Sequence, residues 1–240
     1  MKMLWLVVTG LIIMPGLLFA DEKATNTAIA KKNLQSVLPS SCMFSGNFAQ
    51  QKTITGLEQP LRSIGKVFFA CEDGLIWINN KPFKESVIYT KKNFHFRSTE
   101  SSDFLPLEDP RHELIGMMLI NLMSGDVQSI LVDFSVHTET ARENGEKTKR
   151  WLLVPESEFL RKGIAKIIIE KSTATAVNIS LVDRFDQSTE ITLSNLQTPG
   201  RQNAGIITEF CLESLPEDKA ACKVLTEPEW QSVRETDFLD

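Results

Sequence analysis

The sequence predicts an α+β protein that is mainly β: a strongly curved antiparallel sheet with helices covering its concave apolar face. Two strand-rich regions, 42–97 and 133–195, flank a helical segment over 109–131. Short polar or Pro/Gly-bearing links join neighbouring strands within each region. Strand meanders with such links favour one antiparallel sheet, with the intervening helices lying on one side of it.

The first twenty residues, 1–20, are typical of a secretory signal peptide. Lys2 precedes an almost continuous apolar run over 3–19, and Ala20 stands before the charged segment 21–23. We therefore expect cleavage after Ala20 and export of a soluble product. An uncleaved membrane anchor is the alternative, although the apolar run is short for a membrane span.

The first strand-rich region follows a short amphipathic helix. Apolar residues near helical spacing predict this helix over 29–38, and Pro39 stops it. Two of the strands that follow are apolar on both faces, because 67–71 and 75–78 contain no polar residue. We expect one face of each to pack normally and the other to face a helix-covered hollow. The predicted strands of this region are 42–52, 61–71, 74–79, 85–90 and 93–97.

The helical segment and the second strand region come next. Apolar residues at steps of three and four predict a helix that begins at Pro110 after the cap Asp109 and ends at Gly125. Asp126 can cap a second short helix. A hairpin with Asn144-Gly145 at its tip joins the first two strands of this region. The predicted strands are 133–140, 149–155, 164–171, 175–183 and 189–195.

The four cysteines agree with export, because disulfides persist in oxidising compartments. They allow three connectivities, of which geometry favours one. In a hairpin formed by 42–53 and 61–71, pairing Cys42 with Cys71 centres the turn in the polar link at Gly56-Leu57. Cys211 and Cys222 would then close a small loop in the tail over 199–240. This acidic, Pro-bearing tail is predicted to be irregular.

Several function classes are disfavoured by composition and motif content. The net charge is −5, the sequence pI is near 5.4, and no dense Lys/Arg stripe is present, which argues against nucleic-acid binding. The three histidines, His95, His112 and His137, are scattered and no C-x-x-C pair occurs, so we expect no metal site. G-x-S-x-G, P-loop, G-x-G-x-x-G and H-E-x-x-H motifs are absent, and we expect neither catalysis nor a cofactor.

The segment "FSGNFAQQK", then "GKVFF", then "LIW" with a proline five residues after the Trp, resembles the LolA family of periplasmic lipoprotein carriers. The resemblance covers about 26–196 and implies a carrier domain over 21–198, with an incomplete barrel and lid helices above an apolar cavity. The family's basic-Arg-Pro turn, tied to lid opening, is replaced here by 70–72, Ala-Cys-Glu. The matching residues are Phe44, Phe48, Gln50, Lys52, Gly65, Trp77 and Pro82.

The resemblance implies a periplasmic, non-catalytic carrier that moves acyl chains of lipoproteins or other lipid-linked cargo toward the outer membrane. Donor and acceptor proteins of the inner and outer membranes would be its partners, and we expect a monomer. The residues predicted to line the cavity are Phe44, Phe48, Val67, Phe69, Leu75, Trp77, Met118, Leu122 and Met123.

Three alternatives stay open at this point. The aromatic and Met-rich residues could form a plain core, since methionine fills core gaps as readily as it accommodates varied ligands. The protein could be a non-catalytic interaction module or chaperone-like partner of the cell envelope, with a filled core and no bound lipid. An exported hydrolase of lipid esters is the third.

Overall fold

A computed structural model of the protein describes residues 41–90, 94–98, 104–106, 110–143, 146–173, 176–199 and 207–226. The predicted signal peptide, the helix over 29–38, the Asp109 cap and the Asn144-Gly145 tip lie outside the described residues.

The strands form one antiparallel sheet that does not close into a barrel. They are β1 (Met43–Thr53), β2 (Leu61–Ala70), β3 (Gly74–Lys81), β4 (Glu85–Thr90), β5 (Phe94–Arg97), β6 (Leu105–Pro106), β7 (Phe134–Glu143), β8 (Glu146–Pro155), β9 (Ile164–Thr173), β10 (Ala176–Asp183) and β11 (Ser188–Gln197). Among the residues that the structure describes, eleven strands follow the order β6-β5-β4-β3-β2-β1-β11-β10-β9-β8-β7. Pairing of β1 with β11 joins the two predicted strand regions, and the predicted open sheet is confirmed.

The helices are α1 (Pro110–Ser124), α2 (Val127–Asp133), α3 (Glu158–Arg161), α4 (Ile207–Ser214) and α5 (Lys219–Thr226). The predicted break between α1 and α2 is confirmed. Gly125 has a φ of 65°, a left-handed conformation that glycine adopts without steric cost. Asp126 then caps α2, since its carboxylate accepts a hydrogen bond of 3.2 Å from the backbone N–H of Ser129.

Side chains of β2 and β3 alternate between two apolar layers, which explains why both strands are apolar on both faces. On the concave side, β2 and β3 pack in one cluster with α1 and α2. On the convex side, Phe68, Ala70, Ile76 and Ile78 pack in a second cluster with α4 and α5. The prediction of an irregular tail is therefore wrong for 207–226. These residues form two helices because their apolar side chains are buried against the back of the sheet.

The hairpin register predicted from the cysteines is confirmed. Phe44 lies opposite Phe69 in the β1–β2 ladder, which places Cys42 beside Cys71. These cysteines form a disulfide with their Cα atoms 4.9 Å apart. The second disulfide, Cys211–Cys222, joins α4 to α5.

A buried ion pair holds the α4–α5 pair against the sheet. Asp218 has a side chain 1% exposed and pairs with Arg97 of β5. Its carboxylate also accepts hydrogen bonds from the hydroxyl of Ser86, at 2.7 Å, and from the backbone N–H of Ala221 in the first turn of α5, at 3.2 Å. Arg97 in turn lies over the ring of Phe104, 4.4 Å from its centroid.

Candidate functional site

The residues predicted to line a cavity lie together on the concave side of the sheet. We call the buried apolar residues there the concave cluster. It contains Phe44, Phe48, Val67, Phe69, Leu75, Trp77, Tyr89, Leu119, Ile120, Leu122, Met123, Val127, Ile130, Phe134, Trp151, Leu153, Leu160, Ile164, Ile167, Ile169, Val177, Ile179 and Leu193. Every predicted residue is a member except Met118, which is half-buried and packs against the cluster.

Aromatic side chains from neighbouring strands fill the centre of the concave cluster. The rings of Phe48 and Trp77 stack with their centroids 4.0 Å apart, and those of Phe44 and Phe69 are 5.3 Å apart. Phe44 is 1% exposed and Trp77 is 7% exposed. These residues are therefore packed side by side in this conformation instead of facing an open space.

Gly65 allows this aromatic packing. A Cβ atom at this position would lie 1.7 Å from the carbonyl oxygen of Ile78 and 2.8 Å from Cε1 of Phe48. Any side chain at Gly65 would thus meet the backbone of β3 and the ring that stacks on Trp77. Gly65, which carries part of the family resemblance, is thus a position where this structure has no room for a side chain.

A cleft lies between the helices and the β7–β8 edge of the sheet. It contains about 420 Å³ of space outside the protein atoms, part of it open to solvent. Met118 and Leu122 are the predicted residues that line it. The full lining is Met117, Met118, Asn121, Leu122, Ser129, Ile130, Asp133, Phe134, Leu153 and Leu160. The cleft is thus mainly apolar, with polar groups contributed by α1 and α2.

Several residues of this site were not predicted from the sequence. Phe134, Leu153 and Leu160 line the cleft, and Trp151 extends the concave cluster along β8. A signal for a strand was present, because 151–155 is an unbroken apolar run, but such a run does not show which face is buried. The sequence does not say that this face of β8 and the face of β2 belong to one cluster.

Burial controls the few polar groups within the concave cluster. Desolvation raises the pKa of Tyr89 to about 12, so its phenol stays neutral at physiological pH. The indole N–H of Trp151 is buried and has no hydrogen-bond partner among the residues that the structure describes. Within this same part of the chain, no three His, Cys, Asp or Glu side chains are grouped so as to hold a metal ion. Nor is any helix there long and apolar enough to cross a membrane.

The turn at which the family's arginine is expected carries a disulfide in this protein. Cys71 is bonded to Cys42, and its backbone N–H donates a 2.8 Å hydrogen bond to the carbonyl of Cys42. The β2–β3 turn is therefore tied covalently to the start of β1. The disulfide and the apolar packing thus hold the β1–β3 region, whereas the cleft lies at the β7–β8 edge of the sheet.

Comparison with known proteins identifies the family. The model of the family described as outer membrane lipoprotein carrier protein LolA matches residues 40–206. None of the curated proteins matches the chain. Three solved structures are similar at low identity: a LolA superfamily protein from Nitrosomonas europaea, an outer membrane lipoprotein-sorting protein domain from Vibrio parahaemolyticus, and a DUF1329 family protein from Desulfovibrio piger.

The structural likenesses are weak individually. The Nitrosomonas protein is 9% identical, with a TM-score of 0.41, over 72% of this chain and 94% of its own. The Vibrio domain is 9% identical, with a TM-score of 0.39, over 77% of this chain and 97% of its own. The Desulfovibrio protein is 10% identical, with a TM-score of 0.42, over 74% of this chain and 93% of its own. Because these scores are below 0.5, the assignment rests on the family model, which covers more than half of the sequence. On that match, the chain belongs to the LolA family of outer membrane lipoprotein carrier proteins.

Proposed function

We propose that the protein is a periplasmic carrier that binds acyl chains beneath α1 and α2 and moves them toward the outer membrane. The cargo is an acylated protein or another lipid-linked product, exchanged with membrane proteins on either side. The carrier works as a monomer and without catalysis. The observation that carries the proposal is the mainly apolar cleft between a methionine-bearing helix and the concave cluster, in a chain of this family.

The physical requirement on such a site is strong binding combined with release. Burying one methylene is worth about 0.8 kcal/mol, so a chain of about fourteen carbons contributes on the order of 10 kcal/mol before ordering costs. The mainly apolar cleft is where such a chain would enter. Because the concave cluster is already packed, deeper entry requires α1 and α2 to move away from the sheet. Flexible side chains such as Met117 and Met118 suit an interface that must repack in this way.

Native mass spectrometry of protein purified from an exported fraction, with organic extraction of the same sample, tests the proposal. We expect a discrete added mass that extracts as a lipid. Met118→Glu should abolish the added mass, because the variant places a carboxylate in the apolar cleft. Val132→Glu is the matched control, since this residue of α2 is 78% exposed and does not line the cleft. A clean mass that phospholipid and acylated peptide leave unchanged would overturn the carrier proposal.

Tryptophan fluorescence provides a second readout of the same site. Trp77 and Trp151 both belong to the concave cluster, so added long-chain lipid should shift the emission. Trp77→Phe should remove much of the shift, while Trp151→Phe measures the contribution of β8. A response that neither variant changes would place the bound lipid outside the concave cluster.

A second candidate function is a cell-envelope interaction module without bound lipid. The close packing of the concave cluster favours this candidate, because a module that binds no lipid needs a filled core and no internal cavity. This candidate predicts the clean mass in the experiment above and an unchanged tryptophan emission.

A further inference from the structure

Four large apolar side chains are exposed at one end of the sheet. Leu57 is 50% exposed, Leu61 54%, Ile64 46% and Phe83 70%. Leu57 and Phe83 lie in the β1–β2 and β3–β4 connections, and Leu61 and Ile64 are the first and fourth residues of β2, which pairs with both β1 and β3. We call these four residues the tip patch.

Basic residues surround the tip patch in an otherwise acidic protein. Lys52, Arg62, Lys81 and Lys84 are exposed around it. Lys81 lies opposite Ile64 in the β2–β3 ladder, two residues before Phe83. Glu58 is the exposed acidic residue within the β1–β2 connection, and Glu85 is half-buried and accepts a hydrogen bond of 3.4 Å from the amide of Asn79. These four cations outnumber the two carboxylates, whereas the whole chain has a net charge of −5.

We propose that the tip patch docks the protein reversibly on an anionic lipid bilayer. Exposed apolar side chains at loop tips can enter the interfacial region of a bilayer, and adjacent lysines and arginines are attracted to anionic headgroups. The charge complementarity favours a lipid surface. Leu57 and Phe83 stand on the strand connections at this end of the sheet, and none of the four residues lines the cleft. The inference does not depend on the proposed carrier function, because docking requires no lipid in the cleft.

Other loops at the same end of the sheet extend the apolar surface. Phe159 in α3 and Phe185 in the β10–β11 connection are 59% and 73% exposed. The strand ladders place both at the end that carries the tip patch, because β11 starts where β1 ends and β9 starts where β10 ends. Leu160 and Phe134, which line the cleft, also lie toward this end, since β7 starts and β8 ends there. A protein docked by the tip patch would thus hold one side of the cleft near the bilayer.

Co-sedimentation of the purified protein with sucrose-loaded vesicles tests the proposal. The vesicles are an equimolar mixture of phosphatidylethanolamine and phosphatidylglycerol, compared with pure phosphatidylcholine. We expect binding to the anionic vesicles that weakens as salt is added, because salt screens exposed charges. Phe83→Ser should weaken it about tenfold or more, and the Arg62→Glu, Lys81→Glu double variant by about twenty-five-fold or more.

Matched controls distinguish the effect of changing the tip patch from the effect of changing any exposed apolar or charged residue. Leu105→Ser removes another exposed apolar residue, 52% exposed against 70% for Phe83, from the edge strand β6. The Lys149→Glu, Lys171→Glu double variant reverses two exposed cations toward the opposite end of β8 and β9. The controls should bind the anionic vesicles like the parent protein. All of the substituted residues are exposed, and circular dichroism verifies that each variant is folded.

Each outcome of the experiment bears on the proposal. Selective loss in the tip-patch variants supports it. Equal binding to neutral and anionic vesicles, no vesicle binding, or loss of binding in the controls would overturn it. Binding only to vesicles that carry membrane proteins would also overturn it and would assign the patch to a protein partner. Lipid extraction from the same variants keeps the two proposals apart, since the tip-patch variants should retain any cargo bound in the cleft.

Discussion

The buried ion pair beneath α5 allows a quantitative test of how the C-terminal helices are held. Asp218→Asn preserves the shape of the side chain but removes its charge. The amide oxygen of the new side chain can still accept the hydrogen bond from the backbone N–H of Ala221 and cap α5. The amide nitrogen replaces the carboxylate oxygen that accepts from Arg97 and Ser86, and a nitrogen that carries two hydrogens cannot accept from them. Arg97, whose side chain is 16% exposed, then loses its ionic partner.

The expected loss follows from the burial of this pair. Removing one partner of a buried ion pair costs about 3–5 kcal/mol, and the retained cap is worth about 1 kcal/mol. We therefore expect Asp218→Asn to lower the free energy of unfolding by about 3 kcal/mol. Urea denaturation at neutral pH measures this change, and hydrogen exchange of the α5 amides should show a parallel loss of protection.

The adjacent residue in sequence supplies the control. Glu217 pairs with Lys66 at 2.8 Å, but the two side chains are 30% and 31% exposed. Glu217→Gln should therefore cost less than about 1 kcal/mol, as exposed ion pairs do. A double-mutant cycle with Arg97→Gln should show that the two losses at the buried pair are not additive. If Asp218→Asn costs no more than Glu217→Gln, burial of this charge does not hold α5 on the sheet, and the reasoning fails.

Three further predictions concern a close approach, a buried phenol and a disulfide. Gly65→Ala should lower the free energy of unfolding by several kcal/mol or prevent folding, because the new Cβ would lie 1.7 Å from a backbone oxygen of β3. Gly163→Ala is the control, since a Cβ atom there meets nothing within 4 Å. Equal thermal stabilities of the two variants would contradict this prediction. Because the pKa of Tyr89 is raised to about 12, its stabilising contribution is complete below its unfolded pKa of about 10 and is lost as pH rises toward 12. Tyr89→Phe should reduce the loss of unfolding free energy between about pH 9 and pH 12 by about 2–3 kcal/mol, and an unchanged pH profile would refute the assignment. Replacing Cys211 and Cys222 by serine should cost about 2.8 kcal/mol, as expected for a bridge over a sequence separation of 11, and an unaltered urea midpoint would contradict that estimate.

The sequence by itself determined most of the secondary structure and one disulfide pairing. Apolar runs and alternating segments, bounded by polar or Pro/Gly-bearing links, located the predicted strands to within a few residues. The boundary between α1 and α2 was readable from Gly125 and Asp126, since left-handed backbone and helix capping depend on local chemistry. The hairpin register followed from pairing Cys42 with Cys71, because the residue numbers of opposed residues in an antiparallel ladder have a constant sum. The family resemblance rested on short motifs of β1 to β3.

Only the tertiary structure decided what each apolar face packs against. Periodicity shows that a residue is buried but not which element buries it, so the second face of β2 and β3 could not be assigned to α4 and α5. Those helices are eight residues each, too short to be stable without a partner, and their acidic surroundings predicted an irregular tail. The packing of the predicted cavity residues into a filled cluster, with the remaining space beside α1 and α2, likewise depends on side-chain volumes brought together from distant strands. The sequence could indicate apolar residues that are buried in the concave cluster, whereas the cleft beside them depends on the tertiary structure.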